Sequence, residues 1–285
     1  MKIGVSTYSF KSYTGGNQPI EDVIRIAKEI GYEQIEFIEF RLPDGECPVE
    51  HAKKVKACCE KTGIGISAYT CGADFLNGGR SGDPAEELKR MKLCADVAAT
   101  LGAKKMRHDS VGGNIKMTYM QAVDKITPIV RELTAYAEQK GVKTMAENHG
   151  YFLQDSYRIE YFISKIDHPN FGALIDIGNF ICADEDPIQA VGRLANVAFH
   201  VHAKDFYYRQ SNGAAPLEGW GATRCGNSFA GTIVGRGDMP VKQCLRILKK
   251  YGYDEGLGLE FEGREDNMEA LTEGYQYLKK TLAEI

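Results

Sequence analysis

The chain has 285 residues, 43% hydrophobic and 26% charged, with a formal net charge of −4. These are ordinary proportions for a globular protein, at a length that one α/β barrel fills. The weakly acidic balance, without basic runs, argues against a nucleic-acid binder or a polybasic membrane anchor, but leaves room for a small anionic substrate. No apolar run approaches the ~20 residues that a bilayer requires. The start, MKIGVSTYSF, lacks the charged and long apolar regions of a signal peptide. Eight cysteines occur without a C-x-x-C pair, so reduced thiols, no structural disulfide and a cytoplasmic location are expected. A homo-oligomer is compatible with all of this.

Short β-like runs alternate with helical ones. The first strand is KIGVSTY (2–8), and the helix IEDVIRIAKEIG (20–31) leads to YEQIEFIEF (32–40). VEHAKKVKACCEKTG (49–63) precedes GIGISAYT (63–70), and PAEELKRMKLCADVAATLG (84–102) precedes AKKMRHD (103–109). A long helix (119–141) is followed by VKTMAEN (142–148), a short helix (157–165) and FGALIDIG (171–178). A second short helix (187–194) leads to VAFHVHAKD (197–205), then VKQCLRILKKYG (241–252), GLGLEFEG (256–263) and a closing helix (265–282). Several helices end in glycine, a stop signal. Eight strand–helix units favour one (β/α)8 TIM barrel over residues 1–285. An open doubly wound sheet would carry G-x-G-x-x-G after its first strand, and STYSFKSYTGG is not that. Residues 206–234, which hold the only tryptophan, Trp220, are too long for a tight connection and are expected as a βα loop insertion covering the barrel mouth.

Reactive groups of such barrels come from the C-terminal ends of the strands. Four successive strands each end with a metal-competent side chain: Glu147, Asp176, His202 and Glu260. Strand alternation turns them inward. In FHVHAKDF it sets Phe199, Val201 and Ala203 on one face and His200, His202 and Lys204 on the other. Three carboxylates and an imidazole at one point would repel one another unless a cation joined them. The oxygen-rich set with one nitrogen suits Mn2+, Mg2+ or Co2+, with Zn2+ as a further option.

These segments, together with GYEQIEF around Glu36 and the stretch VGRGDMPVKQCLRILKKYGYDEGLGLEFEG, resemble the sugar phosphate isomerase/epimerase group of the xylose isomerase-like TIM barrels. The resemblance spans essentially the whole chain, and HVHAKD is its most specific piece. It implies that Glu147, Asp176, His202 and Glu260 ligate one metal ion, and that Glu147 and Glu260 also form the acid–base pair. The implied activity is isomerisation or epimerisation of a sugar, sugar phosphate or polyol through an enediolate. A lyase or dehydratase using the same site is the alternative. A non-catalytic sugar-binding barrel fits less well, since binding alone does not need two opposed glutamates.

Around this centre Lys204 would add positive charge to a developing oxyanion. His200, deeper on the same face, would support the ligands or touch substrate. His108, His149 and Asn179 are expected on the substrate side. Asn179 departs from the family, whose epimerases carry histidine three residues after the aspartate ligand. Endonuclease IV shares the four ligand positions but needs further histidines, and six in all are too few. Weaker candidates are Tyr8 and Phe10 as an apolar wall, and Glu36, Glu39, Arg107 and Asp109 at strand ends. VGRGDM, with Arg236, is a candidate phosphate-holding turn.

Overall fold

The computed structural model describes residues 1–42, 45–113 and 115–285. Eight parallel strands close into a barrel: β1 (Lys2–Ser6), β2 (Gln34–Ile38), β3 (Gly65–Cys71), β4 (Lys105–His108), β5 (Lys143–Glu147), β6 (Phe171–Asp176), β7 (Ala198–Ala203) and β11 (Gly256–Leu259). Each pairs with its sequence neighbour among these eight, and β11 returns to β1, which makes this the (β/α)8 barrel that the alternating pattern predicts. Around them run α1 (Lys11–Thr14), α2 (Ile20–Ile30), α3 (Pro48–Thr62), α4 (Pro84–Leu101), α5 (Tyr119–Gln139), α6 (Ser156–Ile166), α7 (Pro187–Leu194), α8 (Val241–Lys250) and α9 (Asn267–Glu284). No described helix is long and apolar enough to cross a membrane.

Local chemistry sets the boundaries. Asp83 accepts from the Ala85 N–H to open α4, and Thr118 and Gln121 form a reciprocal capping box on α5. Gly31 ends α2 at φ 118°, a left-handed backbone that favours glycine. In α2 the buried residues are Ile20, Val23, Ile24 and Ala27, a single stripe at helical spacing. Each fully buried aliphatic side chain of this kind contributes about 1.5–3 kcal/mol. The main core lies in the layer between strands and helices, where Phe171, Ala173, Ile175, Val201, Leu257 and Leu259 turn outward. All eight thiols are free.

A small cluster of Ala68, Met145 and Leu174 fills the barrel interior below the polar centre, and Phe199 packs on it. This corrects the alternation read from FHVHAKDF. The β6–β7 register shifts between Ala173 and Leu174, whose partners are Ala198 and His200. Phe199 is skipped, so it turns inward without disturbing the inward aim of His200 and His202.

Residues 206–234 are more ordered than a loop. Starting one residue before them, β8 (Asp205–Arg209), β9 (Gly221–Ala222) and β10 (Ser228–Thr232) form an antiparallel sheet in the order β8-β10-β9. Phe206 packs on Phe229 with ring centres 5.1 Å apart. Arg224 pairs with Asp155 at 2.7 Å, and the Tyr151 hydroxyl donates to the Ala222 carbonyl. The insertion therefore leans on connections that follow β5 and β6, at the rim of the mouth. None of the described residues lining the central cavity belongs to it.

Candidate metal centre and active site

At the C-terminal end of the barrel, Glu147 of β5, Asp176 of β6, His202 of β7 and Glu260 just after β11 present ligand atoms within 4.8 Å of one another. His202 Nδ1 lies 3.6 Å from Glu147 Oε1, 3.7 Å from Glu260 Oε2 and 3.9 Å from Asp176 Oδ2. All four residues are buried. At ~5 Å and an effective dielectric of ~20, each carboxylate pair repels by about 3 kcal/mol. His202 Nδ1 has no hydrogen-bond partner although it is buried, and Asp176 Oδ2 meets only the Lys204 ammonium, at 3.1 Å. Three converging carboxylates and a bare imidazole nitrogen are a donor set that a divalent cation completes.

The orientation of each group is set from behind. Asp176 Oδ1 accepts from the Gly178 and Asn179 N–H groups at 2.8 and 3.0 Å, which leaves Oδ2 toward the centre. Asn148 clasps the Asp176 backbone through two 2.8 Å hydrogen bonds. His202 Nε2 meets Glu36 Oε2 at 2.9 Å, so Nε2–H donates and Nδ1 is the ring nitrogen turned to the centre, where a cation would take its lone pair. Burial opposes the charge on Glu36, but His202 and His200 outweigh it and hold the carboxyl far below its usual range.

His200 does not face substrate. It is fully buried beneath His202, with Nε2 3.3 Å from Glu36 Oε2, and so supports the carboxylate that orients His202. His108 is also not where the sequence suggested. On the short strand β4 it is Arg107 that turns inward, and His108 turns out into the helix layer, edge-on to Phe75 with ring centres 5.5 Å apart. Its Nδ1–H donates to the Asp109 carbonyl, and burial pushes the imidazole down to about 4.

Arg107 is the residue that sequence reasoning undervalued. Its Nε lies 2.7 Å from Glu147 Oε2, and its other nitrogens reach both Asp109 oxygens at 2.8 and 3.2 Å. Burial would raise the Glu147 carboxyl, but Arg107 outweighs it and keeps the group well below the usual carboxylate range. Asp176 behaves oppositely. Burial pushes it up to about 7 against the pull of Lys204, with Glu260 and Glu147 adding to the rise.

Lys204 Nζ sits among Glu260 Oε2 at 2.6 Å, Asp176 Oδ2 at 3.1 Å and Glu262 Oε2 at 3.2 Å. Burial disfavours its charge, yet these carboxylates hold it protonated. Asn179 bridges the two sides, donating to Glu147 Oε1 and accepting from Lys204, both at 3.2 Å. His149 lies at the mouth with Nδ1 3.0 Å from Asp109 Oδ1. Tyr8 lines the mouth too and donates to Glu262 at 2.8 Å, whereas Phe10 is buried in the core and forms no wall. Nothing in the sequence marked the contacts of Glu262 with Tyr8 and Lys204. The cavity holds about 240 Å³, below the roughly 300–1,000 Å³ usual for drug-sized ligands.

The VGRGDM turn holds no phosphate site. The N–H groups of Gly235, Gly237 and Met239 all donate to the buried Asp205 carboxylate, at 2.9, 3.0 and 3.1 Å. Arg236 points away and pairs with Glu269 and Glu273.

A closed barrel with a polar, metal-competent centre at its C-terminal mouth defines a class of site shared by many enzymes. Residues 24–281 match the xylose isomerase-like TIM barrel family, and the chain belongs to it. A search of curated proteins finds no match. Among solved structures, the chain is similar to apo 3-keto-D-glucoside 4-epimerase from E. coli: TM-score 0.73, 17% identity, covering 98% of this chain and 99% of that one. It is similar to the IOLI protein with a bound zinc atom: TM-score 0.74, 19% identity, covering 100% and 97%. A xylose isomerase-like TIM barrel protein from Mycobacterium smegmatis in complex with magnesium gives 0.74, 16% identity, and 99% and 96% coverage. At these identities the likeness is one of fold.

Proposed function

We propose that the protein is a divalent-metal-dependent isomerase or epimerase that moves a proton at the carbon beside the carbonyl of a sugar or polyol. The observation that carries this reading is the meeting of Glu147, Asp176, His202 and Glu260 around an unpartnered Nδ1. The sugar epimerase and the zinc- and magnesium-bound proteins among the structural relatives support it.

Those four residues would hold the ion. When bound, it would polarise the substrate carbonyl and acidify the neighbouring C–H. The chain's own groups do the rest. β5 and β11 are the outer two of four consecutive barrel strands, so Glu147 and Glu260 flank the centre from opposite ends. Glu147, kept ionised by Arg107, is ready to accept a proton. Glu260, 2.6 Å from Lys204 Nζ, is placed to deliver or take one on the other side. Lys204 supplies fixed positive charge beside a developing oxyanion, and burial of the floor excludes water from it.

The test is proton exchange. With Mn2+ in D2O, a cognate ketose should gain deuterium next to its carbonyl, and Glu147→Gln or Glu260→Gln should slow this by ~10²–10⁴-fold. Exchange followed by loss of a β-substituent would assign a lyase instead. Unchanged exchange in Glu260→Gln would remove the two-carboxylate mechanism.

A further inference from the structure

The electrostatics of the mouth narrow the substrate class, an inference that rests on the sugar-enolising reading above. We propose that the site takes an uncharged polyhydroxy ketone and rejects its phosphorylated counterpart. A phosphate ester needs a cation or a set of free N–H donors within reach. Among the described residues, the cations lining the cavity are Arg107, Lys204 and His149. Arg107 and Lys204 are committed to carboxylates, whereas half-exposed His149 gives only one ring nitrogen to Asp109. Lys204 has three N–H donors, and four acceptors, Glu260, Asp176, Glu262 and Asn179, stand within 3.2 Å of its nitrogen. Arg107 divides its fork between Glu147 and Asp109, and His149 shares Asp109 with it.

What the mouth offers instead is acceptor oxygen. Glu262 is partly exposed at the rim, its carboxylate steadied by the Tyr8 hydroxyl at 2.8 Å. Glu39, paired with Arg90, lines another part of the cavity. Carboxylates suit the hydroxyl groups of a sugar and repel a phosphate. The VGRGDM turn, the candidate anion cradle, is filled by Asp205 from within the chain. A neutral ligand of hexose size is what remains compatible with both the charge and the volume.

The experiment titrates metal-loaded protein by calorimetry with four ketoses, D-fructose, D-tagatose, D-ribulose and D-xylulose, and with the terminal phosphate ester of each. At least one neutral ketose should bind, and its phosphate should bind ~100-fold more weakly, the scale expected when like charges are brought together. Glu262→Gln should narrow that gap by ~10-fold, by improving the phosphate ester rather than the sugar. Equal or tighter binding of the phosphate esters would overturn the inference, as would failure of every neutral ketose to bind. Deuterium exchange on the same panel judges the enzymatic reading separately. Neutral preference without exchange would remove the isomerase and keep the substrate class, and exchange on phosphate esters would do the reverse.

Discussion

His202 and Glu36 meet across the barrel floor, Nε2 to Oε2 at 2.9 Å, with both side chains fully buried. The contact joins β7 to β2, which are not neighbours in the barrel, so the pair spans the interior. The carboxylate holds the Nε2 proton and turns Nδ1, without a hydrogen-bond partner, among Glu147, Asp176 and Glu260.

Glu36→Gln tests that arrangement. A glutamine amide can donate to Nε2, which shifts the ring proton to Nδ1 and removes the lone pair from the centre. Metal affinity, read by competition with a chromogenic chelator, should fall ~10–100-fold while the fold persists. An unchanged affinity would show that Glu36 does not set the tautomer.

The Asp205 carboxylate pins the turn that leads into α8. Asp205→Ala leaves three N–H groups without their acceptor, of which the Met239 one is buried and costs ~1–3 kcal/mol, while those of Gly235 and Gly237 are part-buried and cost less. Chemical denaturation should show Asp205→Ala less stable than wild type by at least ~1 kcal/mol, with Asp205→Asn in between because its amide oxygen still accepts. Stability within ~0.5 kcal/mol of wild type would mean that the turn finds other partners.

His108 gives the structure a pH dependence away from the catalytic centre. Its folded value of about 4 lies below the ~6.5 of an unfolded histidine. Between those values the unfolded chain binds more protons, so stability rises with pH across the window. The contribution is complete above ~6.5 and is lost as the pH falls toward 4, on the order of 3 kcal/mol. His108→Leu should flatten this part of the stability profile. Parallel profiles for the two proteins would contradict the burial argument.

Much of this arrangement was legible in the sequence, for reasons that particular residues make plain. Glu147, Asp176, His202 and Glu260 stand out because each lies at or just beyond the end of an apolar strand, as in LIDIG and LGLEF. β4 is four residues long and reads KMRH, with no alternation to say whether Arg107 or His108 turns inward. The inward turn of Phe199 follows from a register shift, a property of two strands together and invisible in either one. The antiparallel sheet within 206–234 and the filling of the VGRGDM turn both depend on tertiary pairing. Asp205 lies some thirty residues from the N–H groups it binds, and no local pattern announces that reach.

Metal content tests this centre most directly. Purified protein, dialysed against Mn2+ and then against metal-free buffer, should retain one ion per chain by elemental analysis. Asp176→Ala and His202→Ala, folded by circular dichroism, should retain essentially none, and His108→Leu should retain the full complement. Wild-type protein that keeps no ion, or full occupancy in both ligand variants, would contradict the assignment of Glu147, Asp176, His202 and Glu260 as a metal centre.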